Sequence, residues 1–347
     1  MINNNVIVTN DINQELGNFL KESDYQKIAV IVDENTEAHC LPKVIESIGE
    51  HWLLKISSGE TNKTISTCEQ LWNALTEASF SRRDLVINLG GGVIGDMGGF
   101  VASTYKRGID FINLPTTLLS QVDASIGGKL GIDFNGFKNH IGIFREPTKV
   151  IVYPPFIDTL SRRELYSGFA EVIKHGLIKD AAYWNGITTK EFDDYDWLQI
   201  INHSIEIKSE VVDNDPYEEG ERKILNFGHT IGHAIETYFL ETPQRLLHGE
   251  AIAVGMICEA FLSNKFAGLT ENQLIEISNF IIKTYDLQKI DTQLFEDIIS
   301  LTLQDKKNHA GLVNYSLLRE VGECGFDYQV PGQLVLDSLF YYNKLIK

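Results

Sequence analysis

Apolar positions follow two rhythms along the chain. Up to about residue 152, short continuous apolar runs alternate with stretches of helical spacing. Residues 6–8, 27–32, 51–56 and 84–89 read as strands, and 11–21, 36–48 and 64–78 as helices. Continuous apolar strands separated by helices are the pattern of a parallel sheet covered on both faces. From about residue 161 the helical period takes over. Residues 162–178, 195–213, 222–240, 249–266, 270–284 and 291–301 read as helices, followed by a hairpin near 312–318 and an amphipathic helix near 332–345. Tyr153-Pro154-Pro155 interrupts the pattern between the two halves. The expectation is an α/β, Rossmann-like domain over 1–155 and a mostly α-helical domain over 156–347.

At 347 residues the chain is long enough for two cores, and 43% hydrophobic with 22% charged residues is an ordinary globular balance. The net charge of −18 argues against a nucleic-acid partner, which needs a basic surface. It leaves room for an anionic small molecule held by a few local lysines. The first residues carry no basic segment followed by a long apolar run, so they do not read as a signal peptide, and no apolar stretch reaches membrane-spanning length. Cys40, Cys68, Cys258 and Cys324 are scattered without a C-x-x-C pair, as expected of reduced thiols in a cytoplasmic protein.

Two stretches carry candidate chemistry. In residues 222–250, Ile231, Ala234, Ile235 and Tyr238 recur at helical spacing, so His229 and His233 share one face. Such a pair is a common start for a divalent-metal site, and His248 at the head of the next helix offers another ligand. Two helix histidines without a metal are the plainer reading. Thr230 stands where a zincin has its glutamate, which argues against metalloprotease chemistry. Gly228, Gly232 and Gly249 flank the histidines; since glycine costs roughly 1 kcal/mol in a helix, something is expected to pack closely there. The second stretch, Gly90-Gly91-Gly92-Val93-Ile94-Gly95-Asp96, follows a strand and opens a helix. Glycines in that context let backbone approach a pyrophosphate at a helix N-terminus, although a tight turn would need them too and the spacing is not G-x-G-x-x-G. Asp33, at the end of an earlier strand, suits a ribose hydroxyl or a helix cap. Gly127-Gly128-Lys129 and Lys138-Asn139, the latter in a loop over 136–144, suit phosphate contacts or plain solvation. Glu171 and Lys174 lie one turn apart in an apolar helix, either as a surface ion pair or as buried charges in need of partners.

Six segments in order resemble the 3-dehydroquinate synthase family: 90–96; 115–129, PTTLLSQVDASIGGK; 169–174, FAEVIK; 225–236, LNFGHTIGHAIE; 248–250, HGE; and 305–307, DKK. The resemblance spans essentially the whole chain. It implies an NAD-binding α/β domain and a helical domain, an active site between them, and a homodimer. Glu171, His229 and His248 match the family's ligands for Zn2+ (or Co2+), which frees His233 for substrate binding or for proton movement relayed by Glu218. Asp33, Glu60, Lys63, Gly91, Gly92, Asp96, Thr116, Thr117, Lys129, Lys138, Phe156 and Thr159 match positions around NAD+. Asn139, Asn226 and Lys307, with Lys129 and His233, match the substrate-phosphate region, and Arg107 is implied to reach in from a second subunit. Lys174, Lys208 and Arg222 match the substrate's carboxylate end. Asp123 and Lys129 join His233 and Glu218 as candidate catalytic residues.

The reaction implied belongs to the shikimate pathway of aromatic amino acid biosynthesis. NAD+ oxidises the C5 hydroxyl of 3-deoxy-D-arabino-heptulosonate 7-phosphate, with the metal lowering that hydroxyl's pKa. Phosphate leaves, the hydride returns, and ring opening and aldol closure give 3-dehydroquinate. Other sugar phosphate cyclases, of the 2-deoxy-scyllo-inosose or valiolone type, share the metal and NAD positions; the cations at 208 and 222 favour a substrate with a carboxylate. A metal-dependent polyol dehydrogenase would release NADH, and a binding protein without activity would need no such combination of sites.

Overall fold

The computed structural model describes residues 5–135, 137–302 and 313–347. The chain divides into two compact units, Met1–Leu165 with Trp197–Glu210, and Tyr166–Asp196 with Val211–Lys347. The break therefore falls inside a helix rather than at 155/156, and one helical stretch of the C-terminal half groups with the first unit. An ion pair between Lys208 and Asp123, at 2.8 Å, is one tie that holds it there.

In the first unit, β1 (Val6–Val8), α1 (Ile12–Lys21), β2 (Ile28–Val32), α2 (Glu34–His39), α3 (Ile45–Ile48), β3 (Trp52–Lys55), α4 (Ile65–Glu77), β4 (Leu85–Gly90), α5 (Gly92–Thr104) and β5 (Asp110–Pro115) come first. The strands β6 (Lys129–Phe134), β7 (Phe137–Phe144) and β8 (Lys149–Val152) follow. Six strands form one all-parallel sheet in the order β1-β8-β5-β4-β2-β3. The pleat sends Ala29 and Ile31 of β2 into a core with Leu71, Met97 and Phe111, and Val30 and Val32 into the opposite core with Leu16, Leu89 and Phe156. Both faces of β2 and β4 are thus buried, and their apolar runs are continuous for that reason.

Local chemistry corrects two expectations. The helix expected over 36–48 is broken, because Pro42 sits in a 3-10 turn, Leu41–Lys43, between α2 and α3. Residues 137–144 are not a loop: β7 pairs antiparallel with β6 as a separate hairpin. Its exposed aromatics, Phe137 and Phe144, kept the apolar alternation from looking like a buried strand.

The second unit holds most of α6 (Arg162–Lys179), then α7 (Ala181–Thr188), the end of α8 (Trp197–Asn214), α9 (His229–Phe239), α10 (His248–Phe266), α11 (Glu271–Thr284) and α12 (Phe295–Thr302). A hairpin of β9 (Asn314–Glu320) and β10 (Glu323–Gln329) and the helix α13 (Gly332–Leu345) complete it. α10 is buried along almost its whole length and packs against α9, α11, α13 and β9. An element apolar on every side is what a central helix requires. The helix expected from 222 begins only at His229; Glu221–Asn226 is a 3-10 turn, and Gly228 at φ +79° separates the two. Among the described residues, no helix is long and apolar enough to cross a membrane, and Cys40, Cys68, Cys258 and Cys324 are free thiols.

In the first unit α5 lies close enough to β4 that a Cβ on Gly98 would stand 2.1 Å from Asn88 Oδ1. Asn88 is itself buried and donates to Asn113 Oδ1 at 2.9 Å, so it has little freedom to yield. Gly98→Ala is expected to destabilise the protein by roughly 1–3 kcal/mol, read as a lower thermal midpoint; an unchanged midpoint would mean that α5 is not seated as described.

Candidate active site

Within the first unit, β4 ends at Gly90 and α5 starts on Gly91, an N-cap residue with no side chain to cap the helix. A Cβ on Gly91 would come within 2.9 Å of Thr117 Cγ2, so a close approach of two segments requires this glycine. Thr116 N donates to Gly90 O at 3.0 Å, and Thr117 and Ser120 hydrogen-bond each other at the head of the short π-helix Ser120–Ala124. Beside them lies a charged cluster. The buried Lys63 ammonium donates to Asp96 Oδ2 and to Asn139 Oδ1, both at 2.6 Å. Burial works to lower its pKa, but the Asp96 and Glu60 carboxylates outweigh that and raise it, so Lys63 stays charged. Lys138 pairs with Glu60 at 3.4 Å. Asn139, at φ +50° in β7, is held by its own N–H donating to Asp133 Oδ1 at 2.8 Å.

The remaining candidates of this unit are more scattered. Asp33 Oδ1 accepts from Asn35 N and Thr36 N and caps α2, the local role its position allowed. Phe156 is fully buried in a core, edge-on to Tyr153, and Thr159 donates to Phe156 O at 2.7 Å. Lys129 is exposed at the start of β6, just after Gly127 and Gly128, both at positive φ. Lys208 donates to Asp123 O at 2.6 Å as well as to its carboxylate. Arg107 is exposed in a run of three left-handed residues, Lys106 (φ +48°), Arg107 (φ +67°) and Gly108 (φ +108°). Backbone strain of this kind persists where the surroundings enforce it. Lys307 and its neighbour Lys306 lie outside the described residues.

The second unit gathers four chemistry-bearing side chains from three helices. Glu171 and Lys174 of α6 are both buried and form an ion pair through Glu171 Oε2. Glu171 Oε1 lies 3.3 Å from His229 Nε2 and 3.3 Å from His248 Nε2. The other nitrogen of each ring is already used: His229 Nδ1 donates to Phe227 O at 3.1 Å, and His248 Nδ1 to Glu236 Oε2 at 3.2 Å. Burial lowers the pKa of His229, so that ring is held neutral. At His248 burial also acts to lower the pKa, but Glu236 and Glu171 outweigh it and push it up to about 10. A divalent cation answers the same electrostatic demand as that proton. Donor atoms about 2.0–2.1 Å from a tetrahedral zinc stand about 3.3–3.4 Å apart, the same spacing as these two contacts, which without an ion are ion-paired hydrogen bonds. His233 completes a second cluster with His229 and His248, in which one ring nitrogen of each lies within 4.8 Å of the others.

Close helix packing brings these side chains together, as the glycines led one to expect. A Cβ on Gly249 would lie 1.9 Å from Ser167 O, one on Gly255 1.9 Å from Gly228 O, and one on Gly232 3.1 Å from Ala251 O. Arg222 is buried; its Nη1 donates to Pro216 O, and it stands in the 3-10 turn rather than on the histidine helix. Asn226 Nδ2 donates to Glu218 Oε1 at 2.6 Å, with Glu218 at φ +61°. Glu236 was missed as a partner of His248 because the spacing of twelve residues across two helices leaves no local signal.

The fold is that of the sugar phosphate cyclases. In fold the chain is similar to 2-epi-5-epi-valiolone synthase from Streptomyces hygroscopicus subsp. jinggangensis 5008, solved with NAD+ and Zn2+ bound, with a TM-score of 0.85 and 24% identity over 98% of this chain and 96% of that one. It is also similar to 2-deoxy-scyllo-inosose synthase in complex with carbaglucose-6-phosphate, NAD+ and Co2+, at TM-score 0.82 and 25% identity over 96% and 95% of the two chains. The family models described as 3-dehydroquinate synthase N-terminal and C-terminal match residues 53–167 and 168–308. The 3-dehydroquinate synthase of Parabacteroides distasonis is 39% identical over 98% of each chain. The chain belongs to the 3-dehydroquinate synthase family.

Replacing Lys63 by methionine would leave Asp96 without its partner in a largely buried setting. Because Asp96 keeps 19% exposure, the expected loss is at the low end of roughly 3–5 kcal/mol in chemical denaturation. A change below about 1 kcal/mol would mean that the cluster contributes nothing to stability.

Proposed function

We propose that this chain converts 3-deoxy-D-arabino-heptulosonate 7-phosphate to 3-dehydroquinate and phosphate, with NAD+ as a recycled cofactor and one divalent ion, Zn2+ or Co2+, at Glu171, His229 and His248. Family membership supports the reaction, and the single observation that carries the metal assignment is the pair of 3.3 Å separations around Glu171 Oε1. The valiolone and inosose synthases named above, solved with NAD+ and a divalent metal, support the cofactors.

The divalent ion supplies Lewis acidity toward a substrate hydroxyl, and NAD+ supplies a transient hydride acceptor. The protein's own groups do the rest. The glycine start of α5 at Gly91 and Gly92 suits a pyrophosphate, with Thr116, Thr117 and the Lys63–Asp96 pair in the same cofactor set. Asp33, Glu60, Lys138, Phe156 and Thr159 complete this cofactor set in the reading. Phe227 O and Glu236 hold the two ligand imidazoles by Nδ1, so that Nε2 presents its lone pair. Lys174 neutralises Glu171, and the buried guanidinium of Arg222 suits the substrate carboxylate, with Lys208 assigned to the same end. Lys129, Asn139, Asn226 and Lys307 are assigned to the substrate phosphate, and Asp123 to the catalytic group. His233, left out of the ligand set, binds substrate or carries a proton, with Glu218 orienting Asn226. A homodimer in the cytoplasm belongs to the same reading: Phe134, Phe137 and Phe144 are exposed on the β6–β7 hairpin, and Arg107 is presented outward.

One assay tests the reaction. With substrate and NAD+, phosphate release should continue over many turnovers while no NADH accumulates; NADH formed in step with product would mark a net dehydrogenase instead. The assignment of the histidines is tested by two variants. His248→Ala should lose the bound metal, whereas His233→Ala should keep it and lose about 10²–10⁴ in kcat. Metal loss in His233→Ala would move the ligand set to the three histidines.

A further inference from the structure

The roles assigned so far leave out Glu259, a charged residue at 0% exposure in the apolar middle of α10. A buried carboxylate needs partners, and those of Glu259 are backbone amides. Its Oε2 accepts from Gly228 N at 2.7 Å and its Oε1 from Ile231 N at 3.1 Å. These N–H groups belong to the first turn of α9, where amides lack partners within the helix and the helix dipole is positive. Gly228 stands at the N-cap of α9 and has no side chain to cap it. A carboxylate from the neighbouring helix therefore does what serine or aspartate does at an ordinary helix start. Burial pushes the Glu259 pKa up to about 8, against the amides, yet both oxygens face N–H donors, a setting that only the ionised form satisfies fully.

Of the two residues between the clamped amides, His229 and Thr230, the first is the metal-ligand candidate. His229 opens α9, and its Nδ1 donates to Phe227 O, so its ring is oriented by the same few backbone atoms that Glu259 secures. α10 itself begins with His248. One helix thus supplies a donor at its start and, about three turns later, fixes the backbone that carries the other donor. We infer that Glu259 is a positioning residue for the metal centre, setting the direction of the His229 ring toward Glu171 and His248. This rests on the ligand assignment proposed above. It predicts that loss of the carboxylate weakens metal binding without touching any ligand, in the way that loss of an outer partner typically costs roughly 10–100-fold in affinity.

The test uses the full chain as wild type, Glu259→Gln, Glu259→Ala and His229→Ala. Zn2+ affinity is measured by competition with a chromophoric chelator, the visible spectrum is recorded with Co2+ in place of Zn2+, and thermal midpoints are taken in parallel. Wild type should bind one ion and His229→Ala should lose it; if those two bind alike, the ligand assignment itself fails. With that established, a folded Glu259 variant should bind Zn2+ roughly tenfold to a hundredfold more weakly and show an altered Co2+ spectrum. A folded variant with a lower midpoint but wild-type affinity and spectrum makes Glu259 a helix cap and nothing more, which overturns the inference. Failure of both variants to fold overturns it in the same direction.

Discussion

Everything in the second unit depends on how closely α9 and α10 approach each other. At Gly228, Gly232 and Gly255 there is no room for a Cβ, since the facing atoms are backbone carbonyls and the side chains of Ile252 and Met256. That contact sets where His229 and His248 start their helices, and Gly249 against Ser167 O sets how α6 meets them. Three ligand candidates from three helices can converge to 3.3 Å only if the backbones beneath them are packed to this tolerance. The glycines cost helix stability locally, and the convergence is what that cost supports.

The same packing creates an electrostatic problem that is solved with unusual thoroughness. Glu171, Lys174, Glu236 and Glu259 are all buried, and each has a named partner: an ammonium, a carboxylate, an imidazole, or the amides of α9. Glu171 divides its two oxygens between Lys174 and the imidazoles. A cation added beside Glu171 Oε1 joins a network already polarised to receive positive charge. The first unit solves a similar problem around Lys63, Asp96 and Asn139 with side chains alone.

Much of this was legible in the sequence. The apolar runs of β2 and β4 gave the parallel sheet, because both faces of these strands are buried and nothing polar interrupts them. The glycines around His229 pointed to close packing, and Asp33 to a cap. Periodicity failed where side chains did not report burial. The β6–β7 hairpin exposes its aromatics, and Arg222 carries the helical rhythm into a 3-10 turn that Gly228 ends. Spacing alone linked His229 to His233 on one helix; the link to Glu171 came from family resemblance, because contacts between distant segments leave no periodic trace. Glu236 and Glu259 were missed for the same reason, although a lone glutamate inside the apolar run from Ile252 to Leu262 was a visible signal.

The central claim is the identity of the metal's ligands, and X-ray absorption at the zinc edge of the purified, zinc-loaded protein tests it most directly. Glu171, His229 and His248 as ligands require two imidazoles and at least one oxygen in the inner shell, with imidazole nitrogens about 2.0–2.1 Å from the ion. A shell containing three imidazoles would place His233 on the metal and contradict the account.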